Sequence, residues 1–273
     1  MSRRVASRKS YPCSRRSRAS SVNGVKVGIV AYTYETSGAD SNSVAINGNP
    51  VSSEAAALIN SFNYYQLESE DYARIKQSMD DARADGAEII VVYYHWGNEY
   101  QREPNDFQIE MAQRTADMGA DIIFASHQHV LQPIEMLTAS DGRQVPVYYS
   151  LGNFISNQRL ETLNNRYTEQ GLIGTVKLIY DKNNHRIMEK TVSILPVWVD
   201  KYGGNLKYAI VPLESGFEGN PALAASGHVA RAQQALNDIH GIIAQEYFDG
   251  YTVKTSSPDN KKNDENGEQK NAA

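Results

Sequence analysis

The chain has 273 residues, of which 41% are hydrophobic, a content ordinary for a globular protein and sufficient for a sizeable core. Its 27 basic and 32 acidic residues give a formal net charge of −5, so the overall charge gives no reason to expect nucleic-acid binding. The single cysteine, Cys13, excludes an intrachain disulfide. The sequence contains no apolar run of about 18 residues, which excludes a transmembrane helix within it.

The two ends of the chain have the composition of disordered segments. Residues 1–21 are rich in serine and arginine, and residues 256–273 mix charged residues with asparagine. The basic segment is open to three interpretations: an arm for nucleic acid or anionic lipid, a solvated tail, or a translation of upstream DNA in the wrong frame. We favour the third, for a reason given below. The N-terminus lacks the apolar centre of a signal peptide, so we expect this chain as written to stay cytoplasmic.

The first half of the chain predicts alternating strands and helices. Asn23-Gly24 is a turn signal, and the β-branched run that follows it is typical of a buried strand. Two further strands are continuously apolar, as in a buried parallel sheet. Asn105 and Gln108 have the spacing of a helix capping box. The predicted elements are a strand over 25–34, a loop over 35–50, a weakly indicated helix over 53–62, a helix over 69–85 that Ser69 caps, a strand over 87–95, a helix from 105 to 119, and a strand over 120–126.

The second half predicts mainly strands. Residues 145–151 form a strand, and residues 171–180 and 186–200 read as an antiparallel hairpin. From residue 201 the pattern becomes irregular, with one amphipathic helix predicted over 226–247. The order β-α-β-α-β followed by further strands predicts an α/β (α+β) layered domain whose sheet continues into antiparallel pairing.

Histidines follow two of the apolar strands. His95 ends one strand, and His127 and His129 follow the next. Ligands bind beyond the carboxyl ends of the strands in open α/β sheets, and convergent imidazoles are a common start to a metal site. The less specific alternative is that the H-x-H pair consists of polar loop histidines. We therefore predict the edge of a metal or phosphate site here.

Five nearby residues are weaker candidates. Glu99 could act as a ligand or general base, and Asn153 could hold a substrate oxygen, although both residue types are ordinary in loops. Trp96 could stack on a ligand, although aromatic packing over a loop is more common. Glu135 is a candidate substrate-binding residue or a surface strand position, and Asp121 is expected to satisfy backbone N–H groups. The isolated histidines His185, His228 and His240 are expected to be structural or at the surface.

These motifs together resemble a known family. HWGNEYQREPN, SHQHVLQPIE and YYSLGNFISNQ occur in the order found in CapA/PgsA-type proteins of capsule and poly-γ-glutamate synthesis, and the similarity covers about residues 22–200. Gln128 stands where the family usually has proline. The resemblance implies a fold similar to the metallo-dependent phosphatases, a β-sandwich flanked by helices with a dinuclear centre of divalent metal ions, Mn, Fe or Zn. His95, His127 and His129 then match metal ligands.

The front of the family pattern is not present. The G-D, N-x-E and N-N-H motifs that the resemblance implies for the first half of the family do not occur ahead of His95, and residues 1–21 stand in their place, which is why we favour the wrong-frame interpretation. We therefore expect an N-terminally truncated fold with exposed sheet edges and weak or absent catalysis. The expected units are a tail over 1–21, a CapA-like domain over 22–200, an extension over 201–255 and a tail over 256–273.

The resemblance implies a role in synthesis or export of a capsule or poly-γ-glutamate polymer, with a metal-dependent hydrolase site that is incomplete in this chain. Its implied partners are an anionic envelope polymer or the polymer's membrane synthase, and not nucleic acid. Family members are exported or associated with the cell envelope. The alternative is a non-catalytic module that binds the polymer or the synthase through the same cleft.

Overall fold

The computed structural model describes residues 17–36, 44–63, 69–203 and 207–255. The prediction that residues 1–16 and 256–273 are disordered concerns residues outside these described ranges. Residues 17–21 were predicted to be disordered, but they belong to a strand, Ser17–Val22, which pairs antiparallel with the next strand along the chain. That hairpin turns at Asn23 and Gly24, which both have positive φ angles. Backbone pairing, rather than apolar burial, stabilises this polar strand.

The first half of the chain builds a seven-stranded sheet. Four central strands, β2, β6, β7 and β9, run parallel; the continuous apolar runs predicted the first three, and the parallel pairing of β9 was not predicted. The spatial order is β1-β2-β6-β7-β9-β8, and β5 pairs with the carboxyl end of β2. Strands β3 and β4 form a separate hairpin. The strands are β1 (Ser17–Val22), β2 (Val25–Glu35), β3 (Val44–Ile46), β4 (Asn49–Val51), β5 (Ser61–Asn63), β6 (Ile89–His95), β7 (Ile122–Ser126), β8 (Ile134–Thr138) and β9 (Gln144–Tyr148).

Two helices pack against the parallel strands: α2 (Ser69–Ala84) and α3 (Asp106–Asp117). Their apolar residues join the buried residues of β2 and β6 in one core. The predicted capping box at the start of α3 is confirmed: Asn105 accepts from the Gln108 backbone, and Gln108 accepts from the Asn105 backbone. Ser69 is the first residue of α2 rather than its cap. The helix predicted over 53–62 is wrong beyond the short α1 (Ser53–Ala56), because β5 follows it.

A second sheet packs on the first. It consists of β10 (Gln170–Asp181), β11 (Arg186–Lys201), β12 (Tyr208–Pro212) and β13 (Tyr251–Lys254), all antiparallel. The β10–β11 hairpin confirms the sequence prediction, whereas β12 and β13 were not predicted. Tyr148 of β9 connects the sheets, because its hydroxyl donates to the backbone oxygens of Thr175 and Ser193. The chain is thus a mixed α/β protein with two main sheets and flanking helices, which confirms the predicted fold class.

The C-terminal region also differs from its prediction. The single helix predicted over 226–247 is divided into two, α6 (Val229–His240) and α7 (Gln245–Asp249), and a further helix, α5 (Pro221–Ser226), precedes it. A short α4 (Leu160–Leu163) lies earlier in the chain. Gly227 and Gly241 end α5 and α6, since glycine favours the end of a helix. None of the helices in the described part of the chain has the length and apolar content needed to cross a membrane.

The two sheets leave apolar surface open between them. Strand β10 pairs with β11, and no other described strand lies along its second edge. A cavity of about 470 Å³ opens between β10 and the amino-terminal ends of β2, β6 and β7, and apolar residues form most of its wall. Ile29 of β2 is 46% exposed.

Candidate functional site

A second cavity lies at the carboxyl ends of β2, β6 and β7. Thr33 of β2 pairs with His95 of β6, and His95 pairs with Ser126 of β7, so the loops after these strands start side by side. The turn of the β3–β4 hairpin and the segment after β9 complete the wall. The cavity has a volume of about 380 Å³ and is lined by Thr33, Tyr34, Ile46, Asn47, His95, Glu99, His127, His129 and Gln158.

The three predicted histidines converge in this cavity. The ring centroids of His95 and His127 are 4.6 Å apart, and those of His127 and His129 are 6.2 Å apart. Parallel strands bring their carboxyl ends to one edge of the sheet, which is the reason that histidines from two separate strands meet here. The structure therefore brings together the three residues that the sequence singled out.

The loop that carries two of these histidines has a strained backbone. His127 has a φ of 125° and His129 a φ of 58°, in a region that non-glycine residues seldom adopt. Gln128 anchors the loop from below: it is fully buried, and its Nε2 donates to the Trp96 backbone oxygen at 2.6 Å. A Cβ at Gly97 would lie 2.2 Å from that nitrogen, so the anchor requires glycine there. The surrounding packing thus holds the histidine loop in an unusual conformation.

Asn153 fixes the orientation of His129. The Asn153 Nδ2 donates to the backbone oxygens of His129, at 3.2 Å, and Thr168, at 2.9 Å. Its Oδ1 therefore faces His129 Nδ1 at 2.9 Å and can only accept, so Nδ1 carries the proton. In the neutral ring the lone pair is then on Nε2. This is the arrangement by which a second residue orients a metal-binding histidine.

Burial keeps two of the histidines neutral. It lowers the pKa of His127 to about 4, and the neighbouring His95 and His129 add to the effect. Burial also lowers the pKa of His95, with a further contribution from His129. Both rings are therefore neutral at about pH 7, the state in which an imidazole nitrogen can bind a metal ion.

Glu99 is the one carboxylate among the lining residues of this cavity. Its Oε1 lies 3.9 Å from His129 Nε2, beyond hydrogen-bonding distance. Imidazoles and a carboxylate are suitable donor types for a transition metal. Among the described residues, however, no three His, Cys, Asp or Glu side chains are placed so that they could hold an ion without rearrangement. The donor types fit a metal, and side-chain adjustment is needed for the ligand geometry.

Two candidate substrate-binding residues do not line the cavity. Trp96 is fully buried: it stacks on Tyr94, and its Nε1 donates to the Tyr149 backbone oxygen at 3.0 Å. The expectation that Trp96 stacks on a ligand is therefore wrong, because the tryptophan packs beneath the site. Glu135 lies exposed on β8, where it accepts a hydrogen bond from the Tyr149 hydroxyl at 3.2 Å.

The remaining predicted assignments concern structural residues. Asp121 accepts the Ile90 backbone N–H at 2.9 Å, as expected for a residue that satisfies backbone groups. The three isolated histidines lie away from the cavity and have local partners: His185 bonds to Glu88, His228 bonds to Asp200, and His240 stacks on Phe248.

The sequence argument missed the other walls of the cavity. Tyr34 comes from the carboxyl end of β2, and the strand-end rule that selected His95 applies to it equally. Tyr100 stacks on His129 with centroids 6.2 Å apart. Asn47, at the tip of the β3–β4 turn, and Gln158 carried no sequence signal that set them apart, because only the tertiary fold brings them to the cavity.

The part of the chain that carries this site matches a known protein family. Residues 7–158, more than half of the chain, match the sequence profile of the family described as bacterial capsule synthesis protein PGA_cap. The chain belongs to the PGA_cap family. This confirms the resemblance found in the histidine motifs, but the matched range begins and ends earlier than the expected 22–200. The inclusion of residues 7–21 in the PGA_cap match counts against the wrong-frame interpretation of that segment.

Two curated relatives carry capsule-related names. The PGA biosynthesis protein CapA of Bacillus subtilis (strain 168) is 47% identical over 72 residues, 26% of this chain. The capsule biosynthesis protein CapA of Bacillus anthracis is 40% identical over 78 residues, 29% of this chain. The aligned part spans 18% of the length of each relative.

One solved structure, of a hypothetical protein from Thermus thermophilus, is similar to the chain with a TM-score of 0.35 and 8% sequence identity. The similarity covers 66% of this chain and 62% of that protein. It is too low to define a shared fold.

Proposed function

We propose that this PGA_cap family member acts in the synthesis or export of a capsule or poly-γ-glutamate polymer, and that the histidine cavity is its functional site and holds a divalent metal ion. Family membership and the names of the two CapA relatives support the biological role. The convergence of His95, His127 and His129 in one cavity carries the assignment of the site.

The residues that would hold the metal are the three histidines, with Glu99 as a candidate fourth donor. Imidazole suits Zn and Fe, and carboxylate suits Mn, so we propose Mn, Fe or Zn as the metal. A bound ion supplies Lewis-acid polarisation and a lower pKa for a bound water. Of the chain's own residues, Asn153 orients His129 so that the lone pair on His129 Nε2 points away from the Asn153 amide. Glu99 offers a proton acceptor at the cavity wall.

The test is metal binding by the full chain. We expect purified protein to bind Mn²⁺ or Zn²⁺ in calorimetric titration and to retain the ion in elemental analysis. His127→Ala combined with His129→Ala should abolish binding. His185→Ala is the matched control, because His185 is exposed and outside the cavity, and it should bind as the unaltered chain does. Binding that survives the double substitution contradicts the proposed site.

The second candidate is a non-catalytic module that binds the anionic polymer or its membrane synthase. Two observations favour it: Glu99 is the one acid lining the cavity, and no three side chains of the described residues have a ready ligand arrangement. We expect phosphoester hydrolysis by this chain to be weak or absent even with metal. Tight binding of two ions with rapid hydrolysis of a phosphoester would contradict that expectation.

Polymer production in cells distinguishes the two candidates. If the folded double-histidine variant no longer supports polymer production, the result favours metal chemistry. If production continues unchanged, the result favours a binding role that does not use the imidazoles.

A further inference from the structure

Tyr34 of β2 contacts two of the three histidines. Its ring is nearly parallel to that of His95, with an interplanar angle of 6° and centroids 5.8 Å apart. The same ring meets His127 at 4.7 Å and an angle of 50°. Because the rings of His95 and His127 are 4.6 Å apart, the three form a closed triangle of contacts. Each ring therefore restricts the rotation of the other two.

The strand register brings Tyr34 to the same edge of the sheet as both histidine rings. Thr33 pairs with His95, and His95 pairs with Ser126, so β6 lies between β2 and β7. Tyr34 and His127 are each one residue beyond these paired positions, Tyr34 near the end of β2 and His127 directly after β7. Tyr34 is also fixed from its other side, because it pairs with Phe62 of β5. The tyrosine ring is thus attached to a strand bonded on both sides.

Without a neighbouring side chain in contact with it, the His127 imidazole would not be fixed in orientation. The φ of 125° places His127 at the start of a loop in a conformation that its own backbone does not favour. Buried Gln128 fixes the backbone that follows. That anchor bonds to the Trp96 backbone and not to the His127 imidazole, whereas Tyr34 contacts the imidazole itself. Ligands of a functional site must be held by packing if they are to act together.

We infer that Tyr34 is a positioning residue, which holds the imidazoles of His95 and His127 in the orientation in which both can bind one ligand. The inference rests on the proposed metal site for its functional meaning. The aromatic ring makes the contacts with both histidines, so we assign the role to the ring. Tyr34→Phe should therefore preserve the arrangement, and Tyr34→Leu should lose it.

The first experiment needs no metal. Histidine Cε1–H and Cδ2–H signals are recorded by NMR on the metal-free full chain. We expect the signals of His95 and His127 to carry ring-current shifts from Tyr34, which persist in Tyr34→Phe and are lost or broadened in Tyr34→Leu. If Tyr34→Leu does not fold, Tyr34→Met replaces it. Unchanged histidine signals in the aliphatic variant overturn the inference.

The second experiment measures affinity for Mn²⁺ or Zn²⁺ by titration. Tyr34→Leu should bind about tenfold more weakly, equivalent to about 1.4 kcal/mol, and Tyr34→Phe should bind as the unaltered chain does. The matched control is Tyr180→Leu, which removes another half-buried tyrosine, one that bonds to Glu88 away from the histidine cavity. It should lower the melting temperature without changing affinity.

The two experiments separate the two proposals. If the unaltered chain binds no metal, the proposed function fails, and the NMR comparison still decides whether Tyr34 positions the rings. If the unaltered chain binds metal and Tyr34→Leu binds equally well, the positioning role is overturned and the proposed function stands.

Discussion

At the scale of single residues, the site depends on a few buried polar groups with fully defined partners. Asn153 is 8% exposed and makes three hydrogen bonds, two of which fix the direction of its amide. The protonated nitrogen of His129 follows from those bonds alone. Gln128 acts similarly on the loop backbone, although its Oε1 has no hydrogen-bond partner among the described residues. The orientations of these buried side chains are therefore better determined by hydrogen bonds than those of the exposed residues of the site.

Asn153→Ala tests how much the hydrogen bonds of the Asn153 amide contribute to stability. The backbone oxygens of His129 and Thr168 lose a donor, so we expect the free energy of unfolding to fall by about 1–3 kcal/mol. Urea denaturation measures the loss. Asn184→Ala, in an exposed turn, is the control and should cost about 0.5 kcal/mol or less. Equal losses in the two variants would show that the Asn153 bonds contribute no more than a surface bond.

Lys190 gives a pH-dependent prediction far from the histidines. Its Nζ is buried and donates to the backbone oxygens of Asp121 and Gln144. Burial lowers its pKa to about 8, assisted by Arg143 and opposed by Asp121 and Asp141. The unfolded chain, with an ordinary lysine pKa of about 10.5, therefore binds more protons than the folded chain between these two values.

The free energy of unfolding should consequently rise with pH between about 8 and 10.5, because the folded chain releases the Lys190 proton at a lower pH than the unfolded chain does. The gain is at most about 3 kcal/mol, is complete above about pH 10.5, and is absent below about pH 8. Urea denaturation at several pH values across this window should show the unaltered chain gaining stability relative to Lys190→Met, in which the group is missing. A constant difference between the two proteins over this range would refute the lowered pKa.

At the scale of elements, the site depends on a close crossing of two backbones. Gly152, after β9, forms an isolated bridge with Gly171 of β10. A Cβ at Gly171 would lie 2.1 Å from the backbone oxygen of Asn153, a distance that no side chain can relieve by rotating. The second sheet therefore holds the segment that carries Asn153 against His129.

Gly171→Ala should separate these backbones. We expect a loss of about 1–3 kcal/mol in the free energy of unfolding, together with altered NMR signals of His129, because Asn153 is displaced. Gly219→Ala is the matched control: a Cβ there meets nothing within 4 Å, and it should change neither quantity appreciably. Normal stability in Gly171→Ala would mean that the two segments can move apart at little cost.

At the scale of the whole molecule, the two main sheets of the described residues cover each other incompletely. Beyond Leu172, no described strand pairs with the second edge of β10, and the Ile29 side chain of β2 is exposed. Such edges favour association with other strands. The opening lies at the amino-terminal ends of the parallel strands, whereas the histidine cavity lies at their carboxyl ends.

We expect the purified chain to self-associate with increasing concentration, as measured by size-exclusion chromatography with light scattering. Ile29→Lys places a charge on the open face and should reduce association. Leu58→Lys is the control, because Leu58 is 74% exposed but lies outside both main sheets. If the two substitutions have equal effects, the open face does not drive association.

Local patterns made the parallel core and one helix start predictable. The Asn105–Gln108 capping box acts within about one helical turn, and the apolar runs that become β2, β6 and β7 need only burial on both faces. Strand β1 was missed because its composition argues for disorder, although the Asn23-Gly24 turn that forms its hairpin was visible. The helix predicted over 226–247 was divided because residue periodicity does not reveal where packing interrupts a helix.

The sequence by itself determined the family, the α/β class and the convergence of His95, His127 and His129, since family motifs are local and parallel strands share one edge. Only the tertiary structure decided that Tyr34 touches two histidines, that Asn153 orients the third, and that Trp96 lies beneath the site. Those relations depend on which strands are neighbours and on the direction in which each side chain leaves its backbone. Long-range packing sets both the order of the strands and the direction of the side chains. Residue spacing along the chain does not reveal that packing directly.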